Sequence, residues 1–178
     1  MFPTSKLELD ILCDHIDVDR LMGGTIFDPF AGTGAIPQYF RQKEAPRVYS
    51  NDIAPQSSVH YQYDALSRIN WECMGDFDYV VTSPPFEVLD LAIPLLLEHT
   101  RFAAFVHVPG DYPANSRYRT QVLTALSYSL RVVYGLPMVP GRPIRPCIWL
   151  CIFKTRTAER ALWLDSDGFR PPPSPSCD

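Results

Sequence analysis

The strongest constraint on this chain is the run Phe27-Asp28-Pro29-Phe30-Ala31-Gly32-Thr33-Gly34. Thr25-Ile26-Phe27 leads into it as a short apolar, β-prone stretch. Ala35 to Lys43 follows with helical composition, and Pro37 fits such a helix only within its first turn. A strand that ends in a carboxylate, passes two glycines and enters a helix has the geometry of a nucleotide-type cofactor loop. Gly32 and Gly34 let the backbone turn sharply and approach a ligand with no side chain in the way. The helix that follows offers free N–H groups to an anion. A lone Gly-x-Gly is a weak signal, so the reading depends on what surrounds it.

The surroundings strengthen it. Further along stands Asp78-Tyr79-Val80-Val81-Thr82-Ser83-Pro84-Pro85-Phe86. Proline cannot donate to a sheet ladder, so two in a row end a strand abruptly. Ser83 to Phe86 therefore lie at the carboxyl end of a strand, where open α/β sheets bind their ligands. A Gly loop and a rigid Pro-Pro corner at one sheet edge read as a cofactor site facing a substrate site.

Together the two motifs resemble the signatures of the S-adenosylmethionine-dependent amino-methyltransferases of DNA. The resemblance implies that Asp28, Pro29, Phe30, Ala31, Gly32, Thr33 and Gly34 hold the cofactor. It implies that Ser83, Pro84, Pro85 and Phe86 hold the amino group to be methylated. It covers most of residues 1 to 154. The fold it implies is Rossmann-like, a seven-stranded and mostly parallel sheet with helices on both faces and an antiparallel last strand. One methyltransferase domain would span 1 to 164, followed by a Pro-rich tail, 165 to 178, expected to be disordered. In this family a Pro/Thr stretch before the first helix touches the methionine part of the cofactor, and Pro3, Thr4 and Ser5 match it; the alternative is a plain helix cap. An Asp at the position of Asp64 accepts from the adenine amino group of the cofactor, and Asp64 could equally cap the next helix.

Taken in order, Leu7, Ile11, Leu12, His15 and Ile16 follow helical spacing behind a Thr4 or Ser5 cap. Gly23-Gly24 breaks the chain before a first strand at 25–28. A second strand, 47–52, ends in Asp52, roughly twenty positions after the Gly loop, where nucleotide-binding folds grip ribose hydroxyls. Ile53 beside it can lie on the adenine ring. Strands are also expected at 60–66, 77–82, 101–108, 131–134 and 147–154, and helices at 88–98, with Pro94 kinking or restarting it, and at 116–130. His107 is read as a strand-end residue and not as a catalyst.

Composition bounds the rest. With 178 residues, 46% hydrophobic and 20% charged, the chain can bury one real core. It has no apolar run long enough to span a membrane and no secretory leader pattern, and its five irregularly spaced cysteines read as reduced thiols; the expectation is an intracellular protein without membrane or metal site. The net charge of -4 is uneven. Residues 1–90 hold 6 Lys/Arg and 14 Asp/Glu, and residues 91–178 hold 10 and 6. A basic C-terminal half is suited to phosphates, although scattered solvated charges would read the same way in sequence.

An exocyclic aromatic amine is a poor nucleophile because its lone pair is delocalised into the ring. The motif answers this with two acceptors at one corner, Ser83 Oγ and the Pro84 carbonyl, that favour a tetrahedral nitrogen. Phe86 would stack on a base that has left the duplex. Methylation at cytosine carbon needs a thiolate where Pro84-Pro85 stands and is discounted. Ser at the motif's first position leans towards N4 of cytosine, while the similarity to phage-type enzymes leans towards N6 of adenine, which is favoured by a small margin. An amino-methyltransferase of RNA or of protein glutamine, and a catalytically silent partner subunit, are the other readings. The chain has no room for a separate target-recognition region, so the expectation is weak specificity, guidance by a protein partner, or a place as one module of a longer protein.

Overall fold

The computed structural model describes residues 4–113, 129–133, 147–154 and 162–163. Helix α1 (Lys6–Asp14) starts at Ser5, whose side chain accepts from the Glu8 N–H while the Glu8 carboxylate accepts from the Ser5 N–H. That reciprocal pair is a capping box. Helix α2 (Val18–Gly23), which the sequence pattern does not announce, is capped by Asp17 and stops at Gly24. Strand β1 (Ile26–Asp28) runs through the Gly loop into α3 (Ala35–Gln42), and β2 (Val48–Ser50) follows. Then come α4 (Arg68–Met74), β3 (Phe77–Thr82), a 3₁₀ turn at Phe86–Val88, α5 (Leu89–Glu98) and β4 (Thr100–Pro109). Strands β5 (Ser129–Val133), β6 (Cys147–Phe153) and β7 (Leu162–Trp163) complete the described elements. None of the described helices is long and apolar enough to cross a membrane.

The seven strands form one sheet in the order β2-β1-β3-β4-β6-β5-β7. Strand β1 lies between β2 and β3, parallel to both, and β4 continues the parallel set beside β3. Strand β6 is antiparallel to β4 and to β5, and β7 pairs parallel with β5. So β6 alone runs against the others, as expected for 147–154.

Side chains alternate across this sheet with period two. Phe27, Val80, Ala104, Val106, Ile148 and Leu150 join Trp71, Leu89, Ile93 and Leu96 in one core, beneath α4 and α5. Ile26, Tyr79, Val81, Phe105 and Trp149 join Leu9, Leu12, Leu21, Ile36 and Phe40 in the other, beneath α1, α2 and α3. A sheet buried on both faces accounts for the near-continuous apolar runs of β3, β4 and β6. Thr82 Oγ1 donates to Asp28 Oδ1 at 2.7 Å, and the Thr25 N–H and hydroxyl both donate to Asp78 Oδ2 at 2.9 Å. The two motif-bearing strands, β1 and β3, are thus tied at both ends.

Several expectations change. The segment 60–66 is not a strand; Tyr61 makes only an isolated bridge to Asn51. The Asn51 side chain takes over the ladder, its Oδ1 accepting from Tyr63 N–H at 2.8 Å and its Nδ2 donating to the Tyr63 and Pro29 carbonyls. The count of seven strands holds because β7 adds one. Helix α5 passes through Pro94 without restarting there. Residues 129 and 130 belong to β5 instead of ending a helix. The rest of 116–128, the loop 135–146 and the tail 165–178 lie outside the described residues.

Candidate active site

The cleft opens at the carboxyl ends of β1 and β3. It is lined by Thr4, Asp28, Phe30, Ala31, Gly32, Thr33, Ala35, Ile36, Gln56 and Ser83. Six of the expected cofactor residues and the first residue of the Pro-Pro corner therefore share one cavity. Ala35, Ile36 and Gln56 join them unannounced, because they face the cleft through the course of α3 and of the 53–59 loop.

The Gly loop is built by backbone conformation and by one carboxylate. Gly32 and Gly34 have φ values of 50° and 80°, in the left-handed region that glycine occupies at little cost. A Cβ on Gly34 would stand 2.5 Å from Ser57 Oγ, whereas one on Gly32 would meet nothing within 4 Å. Gly34 is thus favoured by its left-handed φ and by its closeness to the Ser57 side chain, and Gly32 leaves open space beside the cleft. The Gly32 N–H donates to Asp52 Oδ2 at 2.7 Å, and the Ala54 N–H donates to Asp52 Oδ1 at 2.8 Å. Asp52 therefore braces the loop, and it is not among the cleft-lining residues. Ile53 beside it is 63% exposed. Asp64 is exposed and accepts from the Leu66 N–H at 2.9 Å, closing its own turn. Helix α4 begins later, behind Ser67.

Two buried polar atoms in this cleft, Asp28 Oδ2 and Thr4 Oγ1, have no hydrogen-bond partner among the described residues. Buried polar groups are seldom left so, and such atoms mark a site that something else completes. Asp28 Oδ1 is occupied by Thr82 and, at 3.2 Å, by the Phe30 N–H. Burial pushes the Asp28 carboxyl up to about 7, against the pull of those two hydrogen bonds and with a further push from Asp52. A carboxylate, a hydroxyl and an open glycine edge suit a cationic ligand with a sugar and a flat ring, so the residues fit S-adenosylmethionine.

At the opposing corner Ser83 is 9% exposed, and its Oγ lies 3.3 Å from His107 Nδ1. Pro84 is buried, Pro85 half-buried, and Phe86 39% exposed at the start of the 3₁₀ turn. His107 is a buried neighbour of the corner, not merely a strand end, and behind it Glu8 is buried as well. The sequence held a signal for both. His107 interrupts the apolar run of β4, and Glu8 stands one turn before Leu12, on the packed side of α1.

The model of the D12 class N6 adenine-specific DNA methyltransferases matches residues 6–74, which carry α1 through α4 and the whole Gly loop. Over those residues the chain resembles this class of S-adenosylmethionine-dependent amino-methyltransferases. The match agrees with the N6-adenine reading, which the sequence favoured narrowly over N4 of cytosine. No curated protein sequence matches the chain. Among solved structures, a protein described as a hemolysin from Lactococcus lactis superimposes with a TM-score of 0.65 at 19% identity, covering 87% of this chain and 89% of that one. The M protein of the type I restriction enzyme EcoKI superimposes at 0.65 and 14% identity, covering 87% of this chain and 44% of the other. A methyltransferase from Streptococcus mutans in complex with SAH gives 0.52 at 15% identity, over 86% and 100%. These structural likenesses establish the methyltransferase fold of the chain.

Proposed function

We propose that this enzyme methylates N6 of adenine in DNA at the corner formed by Ser83, Pro84, Pro85 and Phe86. The observation that carries the proposal is the shared cleft: Ser83 lines the same cavity as Asp28, Thr4 and the Gly loop. Asp28 and Thr4 would hold the cofactor through their uncommitted oxygens, with Phe30 to Thr33 along its edge. Asp52 acts on the cofactor by fixing the loop through Gly32. Pro29 and Gly34 shape the turn, and Ile53 and Asp64 would cover the adenine end from the exposed rim. When bound, the cofactor supplies a methyl group activated by an adjacent sulfonium.

The chain's own residues meet the weakness of the nucleophile. Ser83 Oγ and the Pro84 carbonyl accept the two amino hydrogens, drawing the nitrogen lone pair out of conjugation. The two prolines fix this corner before the base arrives, so little reorganisation is needed during transfer. Phe86, partly exposed at the cleft mouth, stacks on the flipped base.

DNA binding and target choice would need more than the described surface provides. Residues 1–90 are acidic, and of the arginines in the C-terminal half Arg101 is already 3.5 Å from Asp78. Arg117, Arg119, Arg142, Arg145, Arg156 and Arg160 lie outside the described residues. A protein partner that contributes recognition inside the cell fits this charge distribution. Transfer of labelled methyl to unmethylated DNA, RNA and protein, followed by nucleoside mass analysis, tests the reading. N6-methyladenine in DNA is expected; label found only in RNA or protein would overturn it.

Phe86→Ala is expected to weaken capture of the base by about 1–3 kcal/mol, the scale of one stacking contact. KM for DNA should rise while the thermal unfolding midpoint stays within a degree or two, because the ring is partly exposed. An unchanged KM would remove Phe86 from the base pocket.

A further inference from the structure

Ser83 is backed by a chain of polar groups that the sequence motif does not contain. Its Oγ lies 3.3 Å from His107 Nδ1, and His107 Nε2 lies 3.4 Å from Glu8 Oε1. His107 is 2% exposed and Glu8 1%. Glu8 Oε2 accepts from the Ser5 N–H at 2.6 Å and from the Ser5 hydroxyl at 2.8 Å. Trp149 Nε1 donates to the Glu8 carbonyl at 2.8 Å, and the Trp149 ring stands 5.0 Å from the imidazole. Ring and carboxylate are thus gripped from α1, β4 and β6 at once.

Buried charge is costly, and a purely structural contact here could have been apolar. Burial would raise the Glu8 carboxyl, but the His107 imidazole, whose Nε2 stands 3.4 Å from Oε1 outside hydrogen-bond geometry, and hydrogen bonds from Ser5 overcome it and hold the group at about 2. An ionised carboxylate only accepts, so it draws the imidazole proton to Nε2. In the neutral ring Nδ1 is then a bare acceptor. The Ser83 O–H turns towards it and leaves the Ser83 oxygen lone pairs facing the cleft.

We propose that Ser83, His107 and Glu8 form a proton path, in which His107 takes up through Ser83 the proton that the methylated nitrogen must release. The proposal rests on the amino-methyl transfer assigned above to Ser83. As the nitrogen–methyl bond forms, the electron pair of the broken carbon–sulfur bond stays on sulfur. The nitrogen then carries a positive charge and two hydrogens, while the product keeps one. The N–H bond breaks with its electrons remaining on nitrogen, and that proton passes to Ser83 Oγ. The Ser83 proton passes to His107 Nδ1, and the imidazolium so formed faces the Glu8 carboxylate. Return of the proton through Ser83 to water, once the product has left, resets the site. His107 and Glu8 touch no substrate atom; they orient the Ser83 hydroxyl and accept its proton.

Two measurements test this, the first of them independent of the assignment of substrate. Nitrogen NMR of ¹⁵N-histidine protein, with His107 identified by its loss in His107→Asn, is expected to show the neutral ring protonated at Nε2 and bare at Nδ1. Ser83→Ala should shift the Nδ1 resonance. The opposite tautomer would overturn the path whether or not DNA is the substrate. In single-turnover transfer to DNA, His107→Asn should lower the rate about 10²-fold, the lower end for general acid–base catalysis, with cofactor affinity kept. In a Ser83→Ala background the same change should have no further effect. Equal losses in both backgrounds would make His107 a packing residue and refute the proposal. If His107→Asn does not fold, Glu8→Gln decides, since it should slow transfer without loss of cofactor binding. Wild-type protein inert on DNA would sink the substrate reading, and the tautomer would still stand for or against the path.

Discussion

Replacing Ser83 by alanine is expected to lower kcat and kcat/KM together, by about 10²–10³-fold, which is the scale for removing one preorganised partner of a developing charge. The joint fall follows from when the hydroxyl acts. In the ground state the amino group is planar and nearly neutral, and a hydrogen bond to Ser83 Oγ gains little. As the nitrogen becomes tetrahedral its hydrogens turn acidic, and the acceptor matters most at the barrier. A group used only there appears in kcat and kcat/KM alike. The change should spare the fold. Ser83 lines the cleft, and the Pro84-Pro85 backbone that shapes the corner does not depend on its side chain. Cofactor affinity, measured by calorimetry, should match wild type. Retention of full turnover by Ser83→Ala on every DNA that the parent methylates would leave Ser-Pro-Pro-Phe as a turn with no part in the chemistry.

How much of this site was legible in the sequence depends on the kind of interaction. The loop and the corner were legible because both are backbone devices. Gly34 at φ 80° and two consecutive prolines after β3 are local necessities, and local necessities leave local signatures. The antiparallel β6 came through the resemblance. The brace between Asp52 and Gly32 was not legible, because twenty positions separate the partners and an acidic strand end reads equally as a ligand contact. Nor was the replacement of a strand by the Asn51 side chain, since Tyr61 and Tyr63 carry ordinary strand propensity. Glu8 and His107 lie far apart in the chain and meet only because α1 packs over β4. His107 read as a strand end, and only the fold shows that it faces Glu8.

The second large effect concerns Asp28. The asparagine variant should lose about 10–150-fold in cofactor affinity at pH 8, the equivalent of about 1.5–3 kcal/mol for a hydrogen bond to a charged group. Asparagine keeps the shape, and its oxygen can still accept from Thr82 Oγ1 and the Phe30 N–H as Asp28 Oδ1 does. It loses only the charge at the partnerless Oδ2 position. The sign of the pH dependence follows from the same atom. Burial raises the folded-state carboxyl from 3.8 to about 7. Between those values the folded protein holds a proton that the unfolded chain has released, so stability falls as pH climbs through that window and levels off above it. Asp28→Asn removes this slope, and the ligand-free variant should be more stable than wild type at pH 8. A cationic cofactor prefers the ionised carboxylate, so binding to wild type below about pH 7 should expel a proton and weaken as pH falls. Calorimetry in two buffers of different ionisation enthalpy reads the released proton directly. Wild-type affinity that does not vary between pH 5.5 and 8, or an asparagine variant that binds as tightly as wild type at pH 8, would place the cofactor's charge away from Asp28. Its buried, unpartnered oxygen would then be only a cost to the fold.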